Sequence, residues 1–159
     1  MPCGGGDIGL NVWVENGELL FYIAKSGTFD ENNALLKLGR VRIKLSPNPF
    51  EGKNFEQQLL LKDGCVTIKA SNGNLTSDIL VWVDVFHPAI HVDIKNNLPV
   101  VTEAIYENWR YKDRLSVGRA NNANSYKWTP HVEVKTYHDE IGFENNGVLF
   151  YQAAYPVIL

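Results

Sequence analysis

Residues 8–24, with the sequence IGLNVWVENGELLFYIA, are the stretch that decides the fold. From Ile8 to Val14 every second residue is apolar, a period of two that is typical of a half-buried β-strand. Asn16-Gly17 follows, and an Asn-Gly pair between two apolar runs is the strongest short signal for a tight hairpin. Residues 19–24 are then the returning strand, so this stretch predicts an antiparallel β-hairpin.

The same pattern recurs along the chain. Residues 41–45 alternate before Pro47, residues 62–64 and 71–74 have turn composition, and residues 90–94 alternate again. Turns at such short intervals favour packed sheets. We therefore predict an all-β fold, an antiparallel β-sandwich rich in hairpins, with little or no helix. The chain has 159 residues, the size of one domain, so we expect a single β-sandwich domain over residues 1–159.

Three segments depart from simple alternation. Residues 79–86 (ILVWVDVF) are apolar at almost every position, which predicts a central strand covered on both faces. Residues 33–38 are compatible with a short helical turn. Residues 108–130 are polar with embedded aromatics, which predicts a long loop, and loops of that length are usually functional or disordered.

Composition excludes several classes of protein. The net charge is −3 and the 15 Lys and Arg residues are scattered, so no nucleic-acid partner is expected. No apolar run approaches the ~20 residues that span a bilayer, so no membrane association is expected. The first six residues do not resemble a signal peptide, and the sequence leaves the localisation unknown. Cys3 and Cys65 allow at most one disulfide, and Cys65 is expected to be a buried apolar residue.

Residues 4–9 (GGGDIG) match the letters of the dinucleotide-binding motif G-x-G-x-x-G. That motif needs a strand before it and a helix after it, whereas here a strand follows and nothing precedes. We interpret these residues as a flexible glycine-rich lead-in to the first strand, and expect no cofactor. His87 and His91 flank a proline, which removes the helical spacing of a zinc site, so no metal site is expected.

Two pairs of adjacent acidic residues are candidates for catalytic groups. Glycosidases need two carboxyl groups roughly 5 to 9.5 Å apart. Asp30-Glu31 and Asp139-Glu140 lie in predicted turns, where adjacent acids are mostly solvated. No G-x-S-x-G motif is present, so serine-hydrolase chemistry has no support. We therefore assign no catalytic residue.

Aromatic residues in the long loop offer a contact surface. Rings stack on the apolar faces of sugars, and neighbouring polar side chains bind hydroxyl groups. Trp109, Arg110 and Trp128 combine both kinds of group and are candidate contact residues. The alternative is packing, in which Trp13 and Trp82 belong to the core and the loop aromatics cap the sheet.

Several segments together resemble a known family. They are residues 1–13 (MPCGGGDIGLNVW), 20–23 (LFYI), 29–32 (FDEN) and 36–43 (LKLGRVRI). They are similar to the start of a family of bacterial glycoside-hydrolase-like proteins, whose N-terminal domain is of unknown function. More distantly they resemble the N-terminal domain of family 95 glycoside hydrolases, the α-L-fucosidases. The resemblance covers residues 1 to about 151.

This resemblance implies a β-supersandwich module before an (α/α)6 helical barrel that holds the catalytic carboxylates. A chain of this length and strand pattern has no room for the barrel, and its tail (residues 152–159) departs from the family. We therefore expect a fragment of a larger multidomain protein, missing its helical-barrel partner, with family members periplasmic or secreted. A sheet without that partner would expose an apolar patch, which predicts a homodimer.

As a non-catalytic module, the domain would support the barrel and line one side of the sugar cleft. Gly6 and Asp7 in the glycine-rich loop, with Phe29, Asp30 and Asn32 in a second loop, are the candidate lining residues.

Two other functions stay open. One is a free-standing carbohydrate-binding domain that uses the loop from Trp109 to Trp128. The other, less expected, is a mutarotase-type sugar epimerase that pairs His91 with Glu133.

Overall fold

A computed structural model describes residues 1–119, 124–126, 133–145 and 147–151. The chain divides into two compact units. The first comprises Met1–Ser26 and Lys37–Glu107, and the second comprises Gly27–Leu36 and Asn108–Leu159. The single domain expected over residues 1–159 stays a prediction.

The first unit contains a five-stranded antiparallel sheet in the order β1-β2-β3-β4-β9. Its strands are β1 (Pro2–Gly5), β2 (Ile8–Glu15), β3 (Glu18–Phe29), β4 (Leu35–Ser46) and β9 (Val101–Glu107). Asn16 and Gly17 both have positive φ, 51° and 75°, as a type I′ hairpin turn requires. The hairpin predicted from residues 8–24 is therefore confirmed. Residues 27–29 of β3 and 35–36 of β4 fall in the second unit.

A second antiparallel sheet of the first unit has four strands in the order β5-β6-β7-β8. They are β5 (Asn54–Leu60), β6 (Cys65–Asn72), β7 (Leu75–Val83) and β8 (Ile90–Asn96). A 3-10 turn, Pro49–Glu51, precedes β5. The side chain of Asn48 caps this turn by accepting a hydrogen bond from the Phe50 N–H at 2.9 Å.

Both sheets contribute to one apolar core. Inward-facing residues alternate with outward-facing ones along each central strand, as the period of two predicts. The buried cluster comprises Leu10, Val12, Leu19, Phe21, Ile43 and Leu45 from the five-stranded sheet, and Val66, Ile68, Ile79, Val81 and Val83 from the four-stranded sheet. Two sheets packed on a shared core are a β-sandwich, so the predicted fold class is confirmed.

The helical turn expected at residues 33–38 is wrong. Asn33 has a positive φ of 59° in a turn, and β4 begins at Leu35. Weak local helix preference is overridden because β4 pairs with its neighbours in the sheet. In the part of the chain that is described, helical structure is confined to the 3-10 turn Pro49–Glu51 and two 3-10 residues at 118–119.

The strand expected at residues 79–86 ends earlier, and only one of its faces is covered. β7 is central in its sheet but stops at Val83, and Val85 and Phe86 are exposed. Leu80 and Trp82 lie on the outer face and are half-buried. The two-sided burial predicted from the apolar run is wrong because no second layer covers this face within the first unit.

The second unit contains two short antiparallel pairs. β10 (Arg114–Leu115) pairs with β11 (Lys135–Thr136), and β12 (Glu140–Glu144) pairs with β13 (Gly147–Tyr151). No helix among the described residues has the length and apolar character needed to cross a bilayer.

Both cysteines are free thiols. Cys65 is buried, as predicted, and Cys3 is partly buried. Burial raises the pKa of both thiols, which lowers the fraction present as reactive thiolate.

Candidate functional site

The loop after β3 in the second unit is held by Asp30. Its Oδ1 accepts hydrogen bonds from the N–H groups of Asn32 at 2.9 Å and Ala34 at 2.8 Å. The side chain of Asn32 donates to the carbonyl of Lys135 at 2.8 Å. Asp30 is buried, so this carboxylate shapes the loop. Two predicted contact residues, Asp30 and Asn32, therefore already make hydrogen bonds inside the unit.

Arg110 is the centre of this unit's charged cluster. Arg110 is only 6% exposed, and its Nη2 donates a hydrogen bond to the carbonyl of Tyr137 at 2.9 Å. Its Nε lies 3.0 Å from Asp139 Oδ1, and its Nη2 lies 3.6 Å from Glu31 Oε2. Glu31 Oε1 in turn accepts the Tyr137 N–H at 2.7 Å. A buried guanidinium thus connects the loop after β3 with residues far along the chain.

Glu31 and Asp139 belong to the two acidic pairs Asp30-Glu31 and Asp139-Glu140. They meet in the structure, but the single positive charge of Arg110 contacts both carboxylates and partly compensates their charge. A glycosidase instead needs one carboxyl group as a proton donor and a second facing the sugar. The geometry is that of a structural ion-pair network. Sequence reasoning missed Arg110 as its centre because nothing local marks an arginine for burial.

A second charged group lies around Asp113. Its carboxylate contacts Lys135 Nζ at 2.8 Å and His138 Nδ1 at 2.7 Å, and accepts the His138 N–H at 3.0 Å. Hydrogen bonds from Lys135 and then from His138 hold the pKa of Asp113 far below its ordinary value of 3.8. The hydrogen bond to Asp113 raises the pKa of His138, and the nearby charge of Glu140 adds to that effect.

This pair makes the second unit sensitive to pH. The raised pKa of His138 means that its stabilisation is present below its ordinary value of 6.5 and is lost as pH rises through the folded value. The lowered pKa of Asp113 means that its stabilisation is present above 3.8 and is lost on acidification. We expect maximal stability between these values, and faster amide exchange at Tyr137 and His138, relative to unfolded-chain rates, as the pH rises above 6.5 and through the raised pKa of His138.

The control is the matched pair His138→Gln and His87→Gln. His87 is an exposed histidine of the first unit that contacts Asp84. His138→Gln should abolish the pH dependence of exchange at Tyr137, whereas His87→Gln should preserve it. An unchanged pH profile in His138→Gln would contradict this assignment.

Aromatic side chains flank the arginine. Trp109 and Tyr111 are 36% and 66% exposed, whereas Arg110 between them is buried. Phe29 is also exposed, at the end of β3. Trp109 and Tyr111 are therefore accessible, and their contact with a sugar stays a prediction. Trp128, the remaining predicted contact residue, lies outside the described residues.

The other predicted loop belongs to the first unit. β1 and β2 form a tight hairpin whose turn is Gly6-Asp7, with Gly6 at a φ of 58°. A Cβ on Gly5 would lie 2.9 Å from the carbonyl oxygen of Val83, so glycine allows this strand to approach β7. The interpretation as a flexible lead-in is wrong, because residues 2–5 form a strand. Asp7 lies 3.7 Å from Lys25, in an exposed ion pair.

The packing alternative for Trp13 and Trp82 is also wrong. Both are half-buried on outer faces, one on each sheet. Trp13 contacts the ring of Tyr22 with centroids 4.6 Å apart, and Trp82 stacks on His91 at 4.1 Å. Their sequence neighbours face the core because alternation directs successive side chains to opposite faces.

The histidines bear on metal binding and on epimerase chemistry. No group of three or more potential metal-binding side chains occurs within the described ranges. His91 stacks on Trp82, and Asp93 on the same strand accepts the indole N–H of Trp82 at 2.9 Å. His91 belongs to the first unit and Glu133 to the second, so their pairing stays a prediction.

The β12–β13 hairpin exposes apolar side chains on both faces. Phe143, opposite Val148, is 81% exposed, and Ile141 lies on the same face. Leu149 and Tyr151 are exposed on the opposite face. An isolated two-stranded hairpin is at best marginally stable in water, and exposed apolar patches mark interaction surfaces. We call these five residues the hairpin patch.

Comparison with known protein families gives a match over nearly the whole chain. The model of the family described as Domain of unknown function (DUF5703), in its N-terminal part, matches residues 1–155. No curated protein and no solved structure matches the chain. This agrees with the expected resemblance to an N-terminal domain of unknown function.

Proposed function

Since the chain belongs to the family described as Domain of unknown function (DUF5703), we propose that it is a non-catalytic β-sandwich module of a glycoside-hydrolase-like protein. Its partner in this proposal is a helical-barrel domain that carries the catalytic carboxylates. The barrel and the kinship with family 95 glycoside hydrolases come from the sequence resemblance. The module would support the barrel and border its sugar cleft.

The hairpin patch is the observation that carries this proposal. Phe143, Val148 and Ile141 form a contiguous cross-strand row, because Phe143 is paired with Val148 and Ile141 lies two residues away on the same face. Moving one apolar side chain of this size from water into an apolar contact stabilises the complex by about 1.5–3 kcal/mol. A protein surface that covered the row would therefore stabilise the complex and the hairpin together.

The Arg110 cluster supports the non-catalytic half of the proposal. Glu31 and Asp139 are paired with a buried guanidinium, and Asp30 is committed to backbone hydrogen bonds. They are three of the four acids in the pairs Asp30-Glu31 and Asp139-Glu140. Their partners suit them to holding loops in place beside a neighbouring domain.

The test measures association and turnover of this chain by itself. Without a barrel domain, the hairpin patch should find a second copy, so sedimentation velocity should show a homodimer at high concentration. No sugar should be released from nitrophenyl α-L-fucoside or β-D-galactoside. The double variant Phe143→Ser and Val148→Ser should be monomeric, with an unchanged circular dichroism spectrum.

Phe86→Ser is the matched control, since Phe86 is 90% exposed but lies in the turn after β7. It should still dimerise. A wild-type chain that stays monomeric, or a double variant that still dimerises, would contradict the role of the patch. Sugar release that is lost in Asp139→Asn would contradict the non-catalytic assignment.

A second candidate function is a free-standing carbohydrate-binding domain. The exposed rings of Trp109 and Tyr111 on either side of the anchored Arg110 favour it. In that case Trp109→Ala should abolish binding to sugars while leaving dimerisation unchanged.

A further inference from the structure

The outer face of the four-stranded sheet carries an ordered aromatic pair. Trp82 on β7 and His91 on β8 are direct cross-strand partners. Their rings are nearly parallel, at 10°, with centroids 4.1 Å apart. The indole N–H of Trp82 donates to Asp93 Oδ2 at 2.9 Å, which holds the ring in one orientation. One face of the indole therefore lies against His91, and the half-buried ring is held in place on a face that no second layer of this unit covers.

A groove continues along the same face. It has a volume of about 280 Å³ and is bordered by Thr67, Leu80, Lys69, Asp78 and Lys95 among others. It joins a second groove of about 600 Å³ that shares Lys69 and Asp78 and reaches Thr76. Trp82 and Thr76 are six residues apart on β7, which corresponds to about 20 Å at the usual rise of a strand.

The polar groups of this groove alternate in kind. Lys69, Asp78 and Lys95 lie side by side on three neighbouring strands, because Asp78 pairs with both lysines in the sheet register. No salt bridge within the described part of the chain involves either lysine. Ammonium donors and a carboxylate acceptor thus lie in one row, and the hydroxyl of Thr67 lies two residues along β6 from Lys69.

We propose that this outer face binds a neutral oligosaccharide, with one sugar ring against Trp82 and the following units in the groove. The apolar face of a sugar ring matches an aromatic plane, and its hydroxyls both donate and accept hydrogen bonds. The groove extends well beyond a single aromatic ring, so oligosaccharides should bind more tightly than monosaccharides. This site belongs to the first unit and does not depend on the hairpin patch of the second.

Two other classes of ligand fit this face less well. A nucleic acid needs an excess of positive charge, whereas the two lysines here are balanced by Asp78 and by Asp93. An extended peptide usually adds to the edge of a sheet, where backbone groups are unpaired, and β7 is central. An oligosaccharide can contact the aromatic ring of Trp82 and form hydrogen bonds with the lysines and with Asp78.

The test is calorimetric titration of the full chain with a panel of neutral hexasaccharides built from glucose, xylose, mannose or galactose. Wild-type protein should bind at least one, and Trp82→Ala should weaken that binding about tenfold or more. Lys95→Ala, at an exposed position, should weaken it several-fold without affecting the fold. Trp13→Ala is the matched control, because Trp13 is the half-buried tryptophan on the outer face of the other sheet.

The outcomes separate the candidate surfaces. Binding that is lost in Trp82→Ala and Lys95→Ala but retained in Trp13→Ala supports the proposal. Absence of binding to the whole panel overturns it. Binding that survives both variants, or that is lost in Trp109→Ala instead, also overturns it and assigns the sugar to another surface. None of these results bears on dimerisation through Phe143.

Discussion

Replacing Gly52 with alanine should destabilise the first unit by about 3 kcal/mol or more. Gly52 follows the 3-10 turn Pro49–Glu51 and lies against the end of β6. A Cβ at this position would overlap the carbonyl oxygen of Ser71 and lie 2.8 Å from the Cα of Asn72. Both obstacles are backbone atoms of a paired strand, so relief requires moving the turn away from the sheet. Urea denaturation followed by tryptophan fluorescence measures the loss.

The backbone conformation of Gly52 is not the cause of this effect. Its φ is −78°, which any residue adopts, so the expected loss comes from contact alone. Gly9→Ala is the matched control, because a Cβ on Gly9 would meet nothing within 4 Å. It should change the free energy of unfolding by less than about 0.5 kcal/mol. Equal stability of the two variants would show that the turn does not rest on β6 as described.

Replacing Arg110 with methionine should destabilise the second unit by about 3 kcal/mol. Methionine has a similar length, so the main loss is the charge between Glu31 and Asp139. Removing one member of a buried ion-pair network leaves the remaining charges without compensation, and that cost exceeds the value of the pair itself. The amides of Tyr137 and Asp139 report the loss, because their partners are Glu31 and the Arg110 carbonyl. Both should exchange faster with deuterium.

Arg40→Met provides the comparison. Arg40 forms an ion pair with Glu107 at 2.7 Å, but both side chains are more than a fifth exposed. Water competes for such a pair, so its loss should cost about 1 kcal/mol or less. If Arg110→Met cost no more than Arg40→Met, the burial of Arg110 would not govern the stability of the second unit.

Predictions from the sequence succeeded where the information is local. Alternation from Ile8 to Val14 and the Asn16-Gly17 pair specify a hairpin by themselves, since one face must be buried and the turn needs positive φ. They failed at residues 33–38, where the local preference was weak and pairing in the sheet decided. The prediction also failed at residues 2–5, because glycine and proline are poor strand formers. The glycines there are explained by the close approach of this strand to β7, which the sequence does not show.

The candidate sites divide in the same way. Asp30, Asn32, Trp109 and Arg110 were correctly placed on loops, yet their partners could not be read from spacing. Glu31 and Asp139 meet at one guanidinium although more than a hundred residues separate them in the chain. Likewise, nothing in the apolar run around Trp82 indicates that its ring faces outward beside His91.

The sequence by itself determined that this protein is an all-β sandwich built from hairpins, because a period of two and turn-forming residues act over a few positions. The tertiary structure alone decided that Arg110 is buried between two acids and that the hairpin β12–β13 exposes apolar side chains on both faces. It also decided that Trp82 and His91 stack on the outer face of the four-stranded sheet. These features depend on which distant segments meet and on which faces stay uncovered. Long-range packing determines both which segments meet and which faces stay uncovered, and the local alternation of residues does not specify that packing.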